Sequence, residues 1–289
     1  MKKTRIHGVW ILFLLSVVTC LQVKAQYMPV VFDKVYGDKN QIQLVCPLPG
    51  DEVALVGKEG QKYNLTWVER EGDVVFSLPL TGFTAVNEIA ELDNNRVLVV
   101  GQSTMPNVKG KKDRITLCGR IAVVERNGRI VTDIYAGDQG SNFLKGMLLR
   151  SGAFVVSGSE PKGADGRQGI LLKLDPTGSV VYQYKNAGGG YCDQFAVMGN
   201  SIEYICAAFS AGKDKEQALV VRLDDKGKPY YMTAIPAKQF VVTGLNANIN
   251  DGSVLVIGNS PTDGGIIYKI RPEGDIVFAK NMIPANQVT

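Results

Sequence analysis

Histidine is almost missing from this chain. The only one in 289 residues is His7, close to the N-terminus. Everything after it is therefore closed to a Ser-His-Asp or Cys-His relay and to a His-ligated zinc or copper site. Cysteine is scarce too, at 5 residues, and no two stand in C-x-x-C spacing. A thiolate zinc site is therefore not expected. Apolar runs of membrane-spanning length are absent. The longest, Val9–Val18, follows Lys2, Lys3 and Arg5 and precedes Val23 and Ala25, the order of a secretory signal with small residues before its cleavage point. Residues 1–25 are expected to be removed, leaving Gln26 first; the alternative is a lipoprotein cut before Cys20, preceded by the unfavourable Thr19. Excess charge is also missing. The formal net charge of +4 comes from 32 basic and 28 acidic residues, and Lys2, Lys3, Arg5 and Lys24 lie in the expected signal, which leaves 28 of each. Such a balance argues against a nucleic-acid partner.

What is present is a repeat. Glu69-Arg70-Glu71-Gly72, Glu125-Arg126-Asn127-Gly128, Asp175-Pro176-Thr177-Gly178, Asp224-Asp225-Lys226-Gly227 and Arg271-Pro272-Glu273-Gly274 place glycines at intervals of 56, 50, 49 and 47 residues. An acidic side chain bonds the backbone two residues on, Pro presets φ, and Gly accepts φ > 0, so each motif predicts a tight turn between two antiparallel strands. Before each turn runs an apolar segment ending in a small residue: Val53–Gly57, Val97–Gly101, Phe154–Gly158, Tyr204–Ala208 and Val254–Gly258. Before those lie Ile42–Cys46, Ala85–Leu92, Phe143–Leu149, Phe195–Met198 and Phe240–Leu245. Four short strands, A to D, in each period of about 50 residues describe a propeller blade. The prediction is one all-β domain over 26–289, a single five-bladed β-propeller of four-stranded antiparallel blades. Pro29–Tyr36 is a sixth D-like run similar to Asp275–Met282. One of the two is expected to complete the edge of the last blade.

The repeat resembles that of the secreted bacterial β-propeller repeat family. The resemblance is carried by Leu172-Lys173-Leu174-Asp175 with Gly178, by Tyr268-Lys269-Ile270 with Gly274, and by Asn250-Asp251-Gly252 through Gly258. It runs over nearly the whole chain after residue 25. Most of the family's tryptophans are replaced here by Phe or Tyr, and the fourth copy lacks the terminal Gly. The resemblance implies architecture and carries no activity with it.

Four cysteines follow the signal. Cys192 and Cys206 flank Met198–Ser201 almost symmetrically and are expected to form a disulfide, with Cys46 and Cys118 left as the second pair; the alternative is four buried thiols. Trp67, Phe76, Tyr182, Tyr231 and Phe278 recur near the C and D strands and are expected to pack between blades. The A–B and C–D turns of one face are short. The B–C and D–A loops of the other are long, and a binding site is expected there. The longest B–C loop, Gln102–Leu117, carries Lys109, Lys111, Lys112 and Arg114, suited to an anionic polysaccharide or phosphate; its other reading is a solvated basic loop. Tyr191 follows Gly188-Gly189-Gly190 and suits either stacking on a sugar ring or capping of its blade. That glycine run precedes a strand, so the helix N-terminus of a phosphate cradle is missing. Catalysis at the axis would draw on Glu88 and Asp193, because Glu91 has the opposite strand parity to Glu88. Capping is the commoner role for such carboxylates. No D-x-D-x-D-G loop marks a Ca²⁺ site, and no metal or cofactor is expected.

The reading that follows is an exported, non-enzymatic binding module of the periplasm or cell surface, taking a glycan or an envelope protein on its long-loop face. The alternatives are a carbohydrate-active enzyme and a structural scaffold in an envelope complex.

Overall fold

The computed structural model describes residues 41–93, 95–105, 117–163, 166–186, 190–198, 204–211, 217–248 and 250–283. All belong to the compact unit Val35–Thr289. The expected signal, Cys20 and Pro29–Tyr36 lie outside the described residues.

The turns build the fold. In the third copy, Asp175 Oδ1 accepts the N–H groups of Thr177 and Ser179 at 2.8 and 2.9 Å, and Gly178 N donates to Asp175 O at 2.9 Å. Gly178 sits at φ +92°, and the pairing slips by one residue just beyond it, the geometry of a type I turn closed by a left-handed glycine. The same glycine-to-first-residue bond recurs at Gly72, Gly128, Gly227 and Gly274.

Each period is a separate four-stranded antiparallel sheet. Blade 1 holds β1 Gln41–Leu48, β2 Glu52–Glu59, β3 Lys62–Val68 and β4 Val74–Pro79; blade 2 holds β5 Phe83–Asp93, β6 Arg96–Thr104, β7 Leu117–Glu125 and β8 Ile130–Ala136. Blade 3 holds β9 Asn142–Leu148, β10 Phe154–Lys162, β11 Gly166–Leu174 and β12 Val180–Lys185. Blade 4 holds β13 Cys192–Met198, β14 Tyr204–Phe209, β15 Gln217–Leu223 and β16 Pro229–Lys238; blade 5 holds β17 Val241–Ala247, β18 Val254–Ser260, β19 Gly264–Ile270 and β20 Ile276–Ile283. This is the five-bladed propeller that the repeat predicts. Every blade is built from consecutive strands, and β20 forms the edge of the last one.

The first strand of each blade is bulged near its start, for instance between Val86 and Glu88. The bulge drives a carbonyl toward the second strand. A Cβ on Gly101 would lie 2.0 Å from Ala85 O, which explains why the apolar run of β6 reaches a glycine.

Alternation along the strands gives each blade two apolar faces, and the core lies between blades. Ala54 and Val56 meet Val97 and Val99, Leu98 and Val100 meet Phe154 and Val156, Val155 meets Ile205 and Ala207, and Cys206 and Ala208 meet Val254 and Val256. Fully burying each such aliphatic side chain contributes about 1.5–3 kcal/mol. The outer strands add a lock. A Cβ on Gly227 would fall 2.5 Å from the Tyr182 ring, and one on Gly274 2.9 Å from Tyr231, so these turn glycines lie directly on an aromatic of the preceding blade, as Gly178 lies on Ile134.

Between blades 5 and 1 no such cluster forms among the described residues. Ile257 stands where Val56 and Val100 stand in earlier blades, yet it is 44% exposed. Phe278 stands where Tyr182 and Tyr231 stand, yet it is 42% exposed against 8% for each of them. The expectation that Phe278 packs between blades is thus corrected, while Trp67, Tyr182 and Tyr231 are buried in their seams.

Candidate functional site

The long-loop face rests on ion pairs, two of which have a buried member, Glu160 or Arg120. β10 and β11 pair as far as Lys162 and Gly166, so the B–C connection of blade 3, expected as a long loop, is mostly strand. On this hairpin Glu160, only 1% exposed, accepts from Gln168 Nε2 at 2.7 Å and meets Lys185 Nζ at 2.5 Å. Lys185 also reaches Asp138 Oδ2 at 2.8 Å, in the link between blades 2 and 3. Burial alone would lower the Lys185 ammonium, but its bonds to Asp138 and Glu160 outweigh this and raise it. Arg167 ties the same link down, donating to Ser159 Oγ at 2.8 Å and to Gly140 O at 3.1 Å. Further round, Arg120 forms a two-pronged pair with Asp133 at 2.7 and 3.0 Å and donates to Thr81 O at 2.7 Å. Its guanidinium lies between the Phe83 and Tyr135 rings, 4.4 and 5.0 Å from their centroids. These groups answer one another. They fix loop roots and assemble no nucleophile with a base.

Tyr191 enters blade 4 on this face. Its carbonyl accepts Ser210 N–H at 3.0 Å, and the residue is half-buried. Lys109, Lys111, Lys112 and Arg114 lie outside the described residues.

Glu88 follows the bulge of β5, and its position recurs in the next blades as Lys145 and Gln194. Its Oε2 accepts Gly146 N–H at 2.6 Å, while the neighbouring Asn87 donates to Phe143 O at 2.6 Å and to Asn142 Oδ1 at 2.7 Å. Lys145 in turn donates to Gln194 Oε1 at 3.3 Å. The innermost strands of blades 2, 3 and 4 are stitched together in this way. Burial raises the Glu88 carboxyl above its usual range, opposed by the Gly146 bond and by Lys145. The Asp193 side chain lies outside the described residues.

The expected disulfide is not formed: Cys46, Cys118, Cys192 and Cys206 are all buried, and none is cross-linked to another. Cys192 pairs in register with Phe209 and faces blade 3, whereas Cys206 pairs with Ala196 and faces blade 5. Side chains on opposite faces of a sheet cannot bridge. Burial pushes the Cys118 and Cys206 thiols up to about 11, so these are packing groups. Among the described residues no group of three His, Cys, Asp or Glu is placed to hold a metal ion.

The short-turn face holds an open cleft of about 1000 Å³, which the turn lengths gave no reason to expect. It is lined by Val75 of blade 1 and by Asp93, Asn95, Arg96, Glu125, Arg126 and Asn127 of blade 2. Its cations are matched by anions. Arg96 pairs with Asp93, and Arg126 reaches Glu52 at 2.6 Å. Glu52 also accepts Trp67 Nε1–H at 2.7 Å, and the Arg126 and Trp67 bonds hold its carboxyl below the usual range against the cost of burial. The cluster latches blade 2 to blade 1. Its one sign in the sequence was the turn Glu125-Arg126-Asn127-Gly128, which sets Arg126 at the tip of a hairpin.

No protein-family model and no curated protein matches the chain. Solved structures do. A protein of unknown function from Bacteroides caccae is 13% identical with a TM-score of 0.49, over 87% of this chain and 85% of the other. A eukaryotic initiation factor is 13% identical with a TM-score of 0.52, over 87% of this chain. A puromycin hydrolase S511A mutant is 15% identical with a TM-score of 0.54, over 86% of this chain. The chain spans 57% of the initiation factor and 39% of the hydrolase. Likeness at this level of identity concerns the fold alone, and that fold is shared by proteins whose names differ as widely as an initiation factor and a hydrolase.

Proposed function

We propose that the chain is an exported, non-enzymatic binding module that takes a glycan or an envelope protein on its long-loop face. The observation that carries this reading is the use to which the polar groups are put. Glu88 is bonded to the backbone of the next blade, and Glu160, Lys185, Asp138, Arg167 and Arg120 hold the roots of the loops. A rigid floor beneath variable loops is the usual construction of a recognition surface. Tyr191 offers that surface a ring for stacking, and Lys109, Lys111, Lys112 and Arg114 would add attraction for anionic sugars. The similarity to the secreted bacterial propeller repeat family and the apolar leader with its basic start support export to the periplasm or cell surface. The test is a broad glycan array probed with the full chain and with Lys109, Lys111 and Lys112 changed to Ala. Selective binding that the variant loses is expected. Equal binding by both would remove the basic run from the site. Absence of binding in both would turn the reading to a protein partner, sought as a stable complex in a native pull-down from the envelope.

A second reading, a carbohydrate-active enzyme using Glu88 and Asp193, is favoured by one observation. Burial raises the Glu88 carboxyl, as a general acid requires. Glu88→Gln separates the two readings, because an enzyme would lose turnover and keep affinity, whereas a binding module has no turnover to lose.

A further inference from the structure

We infer that Arg222 anchors a second binding site, on the short-turn face where blades 4 and 5 meet, and that this site takes the carboxylate of an acidic sugar. It lies on the face opposite the long loops and does not depend on the site proposed there.

Two arginines of this chain are held alike. Arg120 lies between the rings of Phe83 and Tyr135, 4.4 and 5.0 Å from their centroids, and its Nη1 donates to a backbone carbonyl, Thr81 O, at 2.7 Å. Arg222 lies between the rings of Tyr204 and Tyr230, 4.7 and 5.2 Å from their centroids, and its Nη1 donates to Pro272 O of blade 5 at 3.2 Å. The difference is at the third side. The Nε–Nη2 edge of Arg120 holds the Asp133 carboxylate in a two-pronged pair. At the same edge of Arg222, Nε is buried with no acceptor, and no carboxylate among the described residues pairs with this guanidinium. A guanidinium keeps its charge in a protein, and a buried donor left unmatched works against folding. Other arginines avoid this. Arg96, Arg126 and Arg129 pair with acids, Arg167 gives its Nε to Ser159 Oγ, and Arg150 and Arg271 are exposed to water. Asp133 shows what fits the vacant edge: a planar carboxylate that accepts two parallel N–H bonds.

The neighbours decide what carries the carboxylate. Tyr230 is 66% exposed and stands at the bulge where β16 slips against β15, between Arg222 and Leu223. An exposed ring changes rotamer within nanoseconds, so a swing of Tyr230 opens the buried edge. The ring then offers an apolar face with a hydroxyl at its tip beside the seat of the anion, which suits the C–H face and the hydroxyls of a sugar. Cys206 and Tyr231 flank Arg222 in register on the two adjoining strands. Neither brings a negative charge to the seat, because burial pushes the Cys206 thiol up to about 11 and raises the Tyr231 hydroxyl as well.

The test titrates tetragalacturonate, neutral maltotetraose and a short peptide ending in glutamate into the full chain by calorimetry. The acidic sugar is expected to bind and the neutral one is not. Arg222→Gln should lower the affinity for tetragalacturonate about tenfold or more, the loss of a charged two-pronged bond. Tyr230→Ala should lower it about threefold or more. Tyr230 is exposed, so its variant keeps the fold even where Arg222→Gln weakens it, and circular dichroism reports on both. Changing Lys109, Lys111 and Lys112 to Ala should leave this affinity unchanged. Binding lost in the lysine variant and kept in Arg222→Gln would overturn this site in favour of the long-loop face. Peptide binding that depends on Arg222, with none of the sugar acid, would overturn the sugar and give the seat to a protein partner. No binding of tetragalacturonate, or an affinity unmoved by Arg222→Gln and Tyr230→Ala, would overturn the site itself.

Discussion

Four seams of this propeller are dry and the fifth is not, although all five are built from the same repeat. Val56 and Val100 are sealed by the blade that follows, while Ile257 at the equivalent place is 44% exposed. Tyr231 lies under Gly274, while Phe278 lies bare. The comparison teaches that burial here belongs to the neighbour and not to the residue. A repeat writes two apolar faces onto every blade, and only stacking decides which of them leave water.

The comparison can be broken most severely at the seam between blades 1 and 2. Trp67 is fully buried there and donates to Glu52. Trp67→Ala is expected to cost about 3–5 kcal/mol in a denaturant titration. The last seam gives the sharper contrast. Val100→Ala, at a fully buried position, should cost about 2 kcal/mol, and Ile257→Ala, at the equivalent exposed position, less than about 0.5 kcal/mol. Equal costs would mean that the last seam is covered. Next comes the latch. Glu52 is held below its ordinary value by Arg126, so its contribution is complete above the usual carboxylate range and is lost as pH falls through the lowered value. Glu52→Gln should cost about 1–2 kcal/mol at pH 7 and flatten the acid side of the stability profile. Glu88 has the opposite sign: its raised carboxyl favours the native state at low pH and weakens it as pH rises from the usual carboxylate range to the raised value. Profiles of Glu52→Gln and Glu88→Gln should therefore depart from the parent in opposite senses. The smallest effect belongs outside all seams. Val180→Thr, on an exposed outermost strand, should change stability by less than about 0.5 kcal/mol.

The turns were legible in the sequence because their chemistry is local. Asp175, Pro176 and Gly178 state the turn by themselves, and the strands on either side follow. Strand ends were less so. Polar residues such as Glu160 and Gln168 read as loop, but their partners across the hairpin keep them paired. The cysteines misled for a related reason. Their near-symmetry about Met198–Ser201 suggests opposed positions, whereas the register sets Cys206 against Ala196 and turns the two thiols to different blades. Glu88 was legible as an inward carboxylate. Its partner was not, because the Gly146 N–H it binds belongs to a strand 58 residues away. The cleft beside Arg126 is likewise a product of two blades meeting.

One feature of the architecture has a bearing on how the protein comes to exist. Each blade is a run of consecutive strands, and none lends a strand to another. A chain that emerges from its N-terminus first can therefore complete blade 1 while blade 5 is still unmade, and each later blade condenses on a finished surface. Contacts of this kind are short in sequence and quick to form. Blade 5 is the exception: among the described residues no apolar cluster joins its far face to blade 1, and Ile257 there stays exposed however early blade 1 is made.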